Sequence, residues 1–261
     1  MKRNILLAIL VAAATATVSL AGAPAAWATV ECRYLIKPGP GQDLVAIPVP
    51  PPPPGPGPNQ VIYVSGVTRS ASYVANYTAV QPRWSVVGVR SAPGTDYNLG
   101  LRDCDWGRRA VSTLSAELVD FIAVDGNQPM PGRMSATVSN ATDAVGTFAL
   151  EYSTGAALDA GASQALLIRG TPALVRDVYV AGGETVVVSL SLTSGDADLA
   201  VMASTSDGWL SPRVQAIQTS NQPGLTEDRV AITVPAGTPG QIFGVVVVNN
   251  AALTQATLTR Y

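Results

Sequence analysis

Two aspartates, Asp196 and Asp198, stand two apart within Thr193-Ser194-Gly195-Asp196-Ala197-Asp198-Leu199-Ala200-Val201. Carboxylates at that spacing beside a tight turn can present oxygens to a hard cation such as calcium, which takes about six of them. The same residues can instead hold the turn, one carboxylate accepting backbone N–H bonds while the other faces water. A weaker copy lies about a hundred residues earlier, at Asp96-Tyr97-Asn98-Leu99, with an amide in place of the second acid. Asp103-Cys104-Asp105-Trp106 is a second cluster. Two acids beside an indole suit glycoside chemistry or sugar stacking, but no third polar group is placed there by the sequence. Trp106 can equally pack over a disulfide. Trp209 sits between strands in the loop Ser204–Gln222 and is the candidate aromatic for a surface contact. Its alternative is an anchor folded back on the sandwich. Trp84 begins a core-like run and is expected to be buried.

What is missing narrows the chemistry. The chain has no histidine, which excludes Ser-His-Asp and Cys-His catalysis and His-ligated zinc. No serine lies in Gly-x-Ser-x-Gly, and no glycine loop of the phosphate-binding kind is present. Beyond Lys2, Lys37 is the one lysine, so Ser-Lys dyads are excluded as well. No cofactor is required by any motif, and calcium is the one ion with a candidate pair. The formal charge is −2, and it becomes −4 when residues 1–28, with two cations and no acids, are removed. That balance gives no reason to expect nucleic acid.

The first 28 residues have the pattern of a secretory leader. Lys2 and Arg3 precede an apolar run from Ile5 to Leu20, and Ala26-Trp27-Ala28 offers a cleavage site before Thr29. Secretion is therefore expected, with no stable membrane span in the mature chain. Residues 29–58 form a lead that ends in a proline-rich stretch, suited to an extended spacer or to a ligand for an aromatic groove. Cys32 and Cys104 are the two cysteines. In a secreted protein an even pair reads as one disulfide, the alternative being two buried thiols. Closing a loop of about 70 residues would stabilise the fold by about 4 kcal/mol.

From Asn59 onward, short Val-, Ile-, Tyr- and Thr-rich runs alternate with Gly, Pro, Asn and Asp clusters. That pattern predicts an all-β protein. Seven strands are expected between Val61 and Tyr152 and seven more between Ala165 and Arg260. Arg108–Glu117 reads as a helical turn or a loop. Val186-Val187-Val188 and Gly244–Val248 are continuous enough to predict burial on both sides. The halves also match in order. Gln60–Gly66 lies over Gln164–Gly170, Trp84–Val89 over Thr185–Leu190, Asp96–Leu99 over Asp196–Leu199, and Val119–Val124 over Arg229–Val234. The predicted architecture is two tandem antiparallel β-sandwich modules, jelly-roll or Ig-like, over residues 59–153 and 164–261. The small, polar segment Ser153–Ser163 marks their boundary.

The second module resembles the bacterial pre-peptidase C-terminal domain, a β-sandwich appended to secreted hydrolases. Val178–Leu190, Gly195-Asp196-Ala197-Asp198-Leu199 and Val234-Pro235-Ala236-Gly237-Thr238 carry the resemblance, over roughly residues 174–261. The first module departs from it, with Tyr97-Asn98 for Ala-Asp and Asp125-Gly126-Asn127 for Pro-Ala-Gly. The resemblance implies an accessory or adhesive role, with calcium bound by some relatives. The expectation is a secreted, non-catalytic accessory or adhesion protein whose loops bind an extracellular polymer or protein surface. Alternatives are a subunit of an extracellular filament or coat that assembles by strand addition, and a hydrolase using carboxylates alone. The sequence leaves the ligand and the oligomeric state open.

Overall fold

The computed structural model describes residues 59–78, 82–103, 109–115, 118–128, 133–204 and 209–261. All belong to one compact unit. Four expectations concern residues outside those described: the leader, the proline-rich lead, the Cys32–Cys104 pair and Asp105-Trp106.

The chain is nearly all strand. The first half supplies β1 (Gln60–Ser65), β2 (Ser72–Thr78), β3 (Trp84–Ser91), β4 (Tyr97–Asp103), β5 (Arg109–Ser112), β6 (Asp120–Asp125), β7 (Arg133–Asn140) and β8 (Thr147–Thr154). The second half supplies β9 (Ala156–Ala157), β10 (Ser163–Arg169), β11 (Ala173–Val180), β12 (Thr185–Ser194) and β13 (Ala197–Met202). It continues with β14 (Leu210–Pro212), a single 3-10 turn at Arg213–Gln215, β15 (Gln218–Ser220), β16 (Asp228–Thr233), β17 (Gln241–Asn249) and β18 (Leu253–Arg260).

Strand order identifies the sandwich type. The first module has one sheet in the order β1-β8-β3-β6 and another in the order β2-β7-β4-β5. The second has β10-β18-β12-β16 and β11-β17-β13-β15. The two orders are the same once the strands of each module are numbered from its own start, and eight strands wound this way make a jelly roll. The sequence repeat is thus a repeat of topology, and the Ig-like alternative drops out. Two short strands are extra. β9 adds to β11 in parallel, and β14 adds to β6 of the first module.

Three apolar layers separate four sheets. Val87, Tyr97, Leu99, Ile122 and Phe148 fill the first sandwich. Val178, Val188, Leu199, Val245 and Leu258 fill the second. Between the modules, Trp84, Val86, Phe121 and Ala123 of one sheet meet Ala173, Val175, Ala200, Met202, Val246 and Val248 of another. The inner sheets are therefore buried on both faces, which requires apolar residues at even and odd positions alike. β17 follows that rule: Val245 and Val247 face the second core, while Val246 and Val248 face the joint. Val186–Val188 does not. Val186 and Val188 are buried and Val187 is half-exposed on the outer face, because β12 lies in an outer sheet.

The boundary segment and one predicted turn also differ from expectation. Ala156–Ala157 is already a strand of the second module's sheet, and Leu158 lies in the second core, so that module begins ahead of residue 164. Within Arg108–Glu117, residues 109–112 form strand β5.

Candidate functional site

The acidic turn is built around backbone. Gly195 occupies the left-handed region at φ 85°, and a Cβ there would collide with the Leu253 carbonyl, so glycine is required. The Asp196 carbonyl accepts from Asn250 N at 3.0 Å. The first module repeats this bond, with the Asp96 carbonyl accepting from Ala141 N at 2.8 Å. One residue before each donor is a buried asparagine. Asn140 donates from Nδ2 to the Val67 carbonyl at 3.0 Å, and Asn249 donates to the Thr171 carbonyl at 2.8 Å. The turn and the asparagine together tie the fourth strand, the seventh strand and the loop after the first strand.

Asp198 is buried. Its Oδ2 accepts from Asn250 Nδ2 at 3.0 Å, and Arg213 Nη2 lies 3.7 Å away. Burial, above all, pushes its carboxyl up from the usual range. Among the described residues no three acidic or thiol groups gather as a metal site would need. Asp196 and Asp198 supply two carboxylates of the six or more oxygens calcium takes, and a guanidinium stands beside one of them.

A second constellation escaped the sequence reading. Asp120 Oδ1 accepts from Ser112 Oγ at 2.5 Å and from Leu114 N at 3.0 Å. Asp228 Oδ1 accepts from Ser220 Oγ at 2.6 Å and from Gln222 N at 2.9 Å. Both aspartates are buried, at 2% and 0% exposure. In each module the clamp pins the fifth strand to the start of the sixth. The serine lies eight residues before the aspartate in both copies, and that spacing is the one signal the sequence offered. The clamp also sets the repeat register: Asp120 matches Asp228, so the sequence overlay of this strand was two residues out.

Trp209 is not a surface aromatic. It is 1% exposed and packs in the core of the first module. The loop that carries it crosses to that module, β14 pairs with β6, and Asp125 N donates to the Trp209 carbonyl at 2.8 Å. An indole buries more apolar area than any other side chain the loop offers, so docking inward outweighs display.

Polar groups lock the joint. Asp177 accepts from Trp84 N at 3.0 Å and from Arg83 at 3.2 Å. Trp84 Nε1 donates to the Ile242 carbonyl at 3.1 Å. Ser204 donates to Asp125, and Arg213 donates to the Val119 carbonyl at 2.8 Å. Glu151 and Asp177 have carboxyls pushed up chiefly by burial. Trp84 also fixes its neighbour's identity: a Cβ on Gly244 would stand 2.7 Å from the indole.

At least two concavities among the described residues open to solvent. One, of about 250 Å³, lies on the outer face of the β2-β7-β4-β5 sheet, over Asn98, Gly100, Arg102 and Thr137. The larger, of about 580 Å³, lies at one end of the joint, lined by Tyr63, Arg90, Pro93, Leu118, Thr147 and Asn250. Tyr63 is 65% exposed and Leu118 40%. Arg90 donates to the carbonyls of Gly170, Asn249 and Ala251, so one module's arginine holds the other module's loops. The crevice is lined mostly by the first module, with Asn250 and Ala252 of the second at its edge. Among the described residues no helix is long and apolar enough to cross a membrane.

No family model and no curated protein matches the sequence. Among solved structures, the PBSX exported protein XepA shares 11% identity at a TM-score of 0.29, covering 78% of this chain and 87% of that one. An oxalate decarboxylase shares 10% identity at a TM-score of 0.19, covering 76% of this chain and 72% of that one. Likenesses this slight carry no argument about fold or function.

Proposed function

We propose that this chain is a secreted, non-catalytic binding protein that attaches to an extracellular polymer or protein surface. The observation that carries the reading is the crevice at the joint, where an exposed aromatic ring, an exposed leucine and a guanidinium fixed by backbone carbonyls surround one opening. Concave sites between packed units, with few polar groups in fixed positions, are where ligands commonly bind. The leader-like first 28 residues and the resemblance to an accessory module of secreted hydrolases support the same reading. The buried carboxylates support it too, since Asp120, Asp177, Asp198 and Asp228 each accept hydrogen bonds that hold strands or modules together.

The test is retention of the mature protein on insoluble bacterial cell wall, chitin, cellulose and collagen. Retention on at least one, competed by its soluble fragments, is the expected result. Loss of the protein to the supernatant on all four sinks the polymer-binding reading.

A further inference from the structure

The crevice at the joint has a composition that selects its ligand. Arg90 carries five N–H donors. Among the described residues its bonds reach three carbonyls, those of Gly170, Asn249 and Ala251, and no carboxylate. Other half-buried arginines have acids beside them: Asp177 for Arg176, Asp198 and Asp120 for Arg213. Burial lowers the proton affinity of Arg90. A positive charge therefore sits in the wall of an open crevice, positioned by backbone, with donors to spare. A carboxylate is the group whose two oxygens match that fork.

The strand register places an aromatic residue in the same row as the arginine. Tyr63 of β1 pairs with Ala149 of β8, and Ala149 pairs in turn with Arg90 of β3. The three residues form one row across the sheet, with strands about 4.8 Å apart, so the backbones of the tyrosine and the arginine stand roughly 10 Å from one another. The residue between them is an alanine. The row thus reads aromatic, small, cationic, and the Tyr63 hydroxyl lies against Gly170, whose carbonyl Arg90 holds, so that ring and guanidinium are neighbours in the crevice wall: a sugar stacked on the one can turn an acid group to the other.

We propose that this crevice binds a carboxylate-bearing sugar unit of an acidic polysaccharide. The assignment rests on the reading of the chain as a binding protein and names its ligand class. The chain as a whole is acidic, so recognition is local to the crevice and does not depend on long-range attraction of a polyanion.

The experiment is calorimetric titration of the mature protein with galacturonate and alginate oligomers, with cellohexaose and maltohexaose as neutral probes and oligoglutamate as a carboxylate-rich peptide. Uronate oligomers bind, and neutral ones bind at least about tenfold more weakly, a difference of roughly 1.4 kcal/mol. Tyr63→Ala, on the surface, weakens uronate binding about tenfold with an unchanged melting midpoint. Arg90→Lys weakens it further, and its midpoint shows whether the joint survives. Equal binding of neutral oligomers, equal binding of oligoglutamate, or uronate affinity unmoved by Tyr63→Ala each overturns the proposal, as does the absence of any uronate binding. Retention on an insoluble polymer that Tyr63→Ala leaves intact overturns the crevice assignment but not the binding-protein reading. Uronate binding without retention on any polymer does the reverse.

Discussion

At the scale of single residues, the paired Ser–Asp clamps show what buried acids do here. Ser112 and Ser220 each donate to a buried carboxylate. Removing either hydroxyl leaves a buried charged acceptor short of a partner, so Ser112→Ala and Ser220→Ala should each destabilise by about 1–3 kcal/mol in urea titrations. A loss no larger than that of exposed Ser191→Ala would remove the clamps from the account. The acids also set a pH dependence. Asp120, Glu151, Asp177 and Asp198 all have carboxyls raised, first of all by burial. The folded chain therefore keeps these protons to higher pH than the unfolded chain does. Stability from this source is complete below the ordinary carboxylate range, about pH 4, and is lost as pH rises through the raised values. The melting midpoint is expected to climb by a few degrees between about pH 7 and about pH 4.5, and a falling midpoint across that window would contradict it. Asp196 and Asp198 were visible in the sequence as a pair. Their role was not, because the partners of Asp198, Asn250 and Arg213, lie far along the chain.

At the scale of elements, long apolar strands were legible and short polar ones were not. β5 and β15 occupy the same place in the two modules, and both went unread. Arg109-Ala110-Val111-Ser112 and Gln218-Thr219-Ser220 are too short and too polar to show a two-residue period. Backbone ladders and the aspartate clamps hold them in place, with little apolar burial. β14 was hidden for another reason: it belongs to the second module in sequence and to the first in space. Its tryptophan is the anchor. Trp209→Ala should cost about 3–5 kcal/mol, the usual range for emptying a large aromatic site. Among the described residues its Nε1 has no hydrogen-bond partner, so Trp209→Phe should cost much less. Equal losses from the two variants would show that the indole nitrogen, not the ring, matters. Trypsin cleavage after Arg213 reports the same event independently: it is slow in the native protein and fast once the arm is released.

At the scale of the molecule, the joint makes two sandwiches behave as one body. Its apolar layer and its polar bonds both cross between modules. Scanning calorimetry of the mature protein should therefore give a single transition. Trp84→Ala removes the central indole of the joint, and it should cost about 3–5 kcal/mol and split that transition in two. A single transition in the variant would mean that the polar bonds suffice. The sequence announced two modules through its repeat, but nothing in a repeat says how the copies meet. The clue was the run Gly244–Val248, apolar at every position beyond the glycine, which a free-standing jelly roll with one wet face does not need.

The way the copies meet has a further consequence. The β1-β8-β3-β6 sheet of the first module packs on the β11-β17-β13-β15 sheet of the second, and by topology these are unlike sheets. A contact between unlike faces is directional, and directional contacts, unlike two-fold ones, can in principle continue without end. The outermost faces of the pair are the same two kinds of sheet, so each could receive another copy by the same rule. Composition stops the series. Where the buried joint has Trp84, Val86 and Phe121, the corresponding outer face of the second module displays Thr185, Val187, Arg229 and Thr233. Where the joint has Val175, Ala200 and Val246, the outer face of the first module displays Asn76, Asn98 and Arg102. Arginines on both ends would also face one another across any new contact. The described residues have a polymerisable geometry whose two outer faces carry polar and charged side chains, and a fragment lacking either module would uncover an apolar face without such a stop.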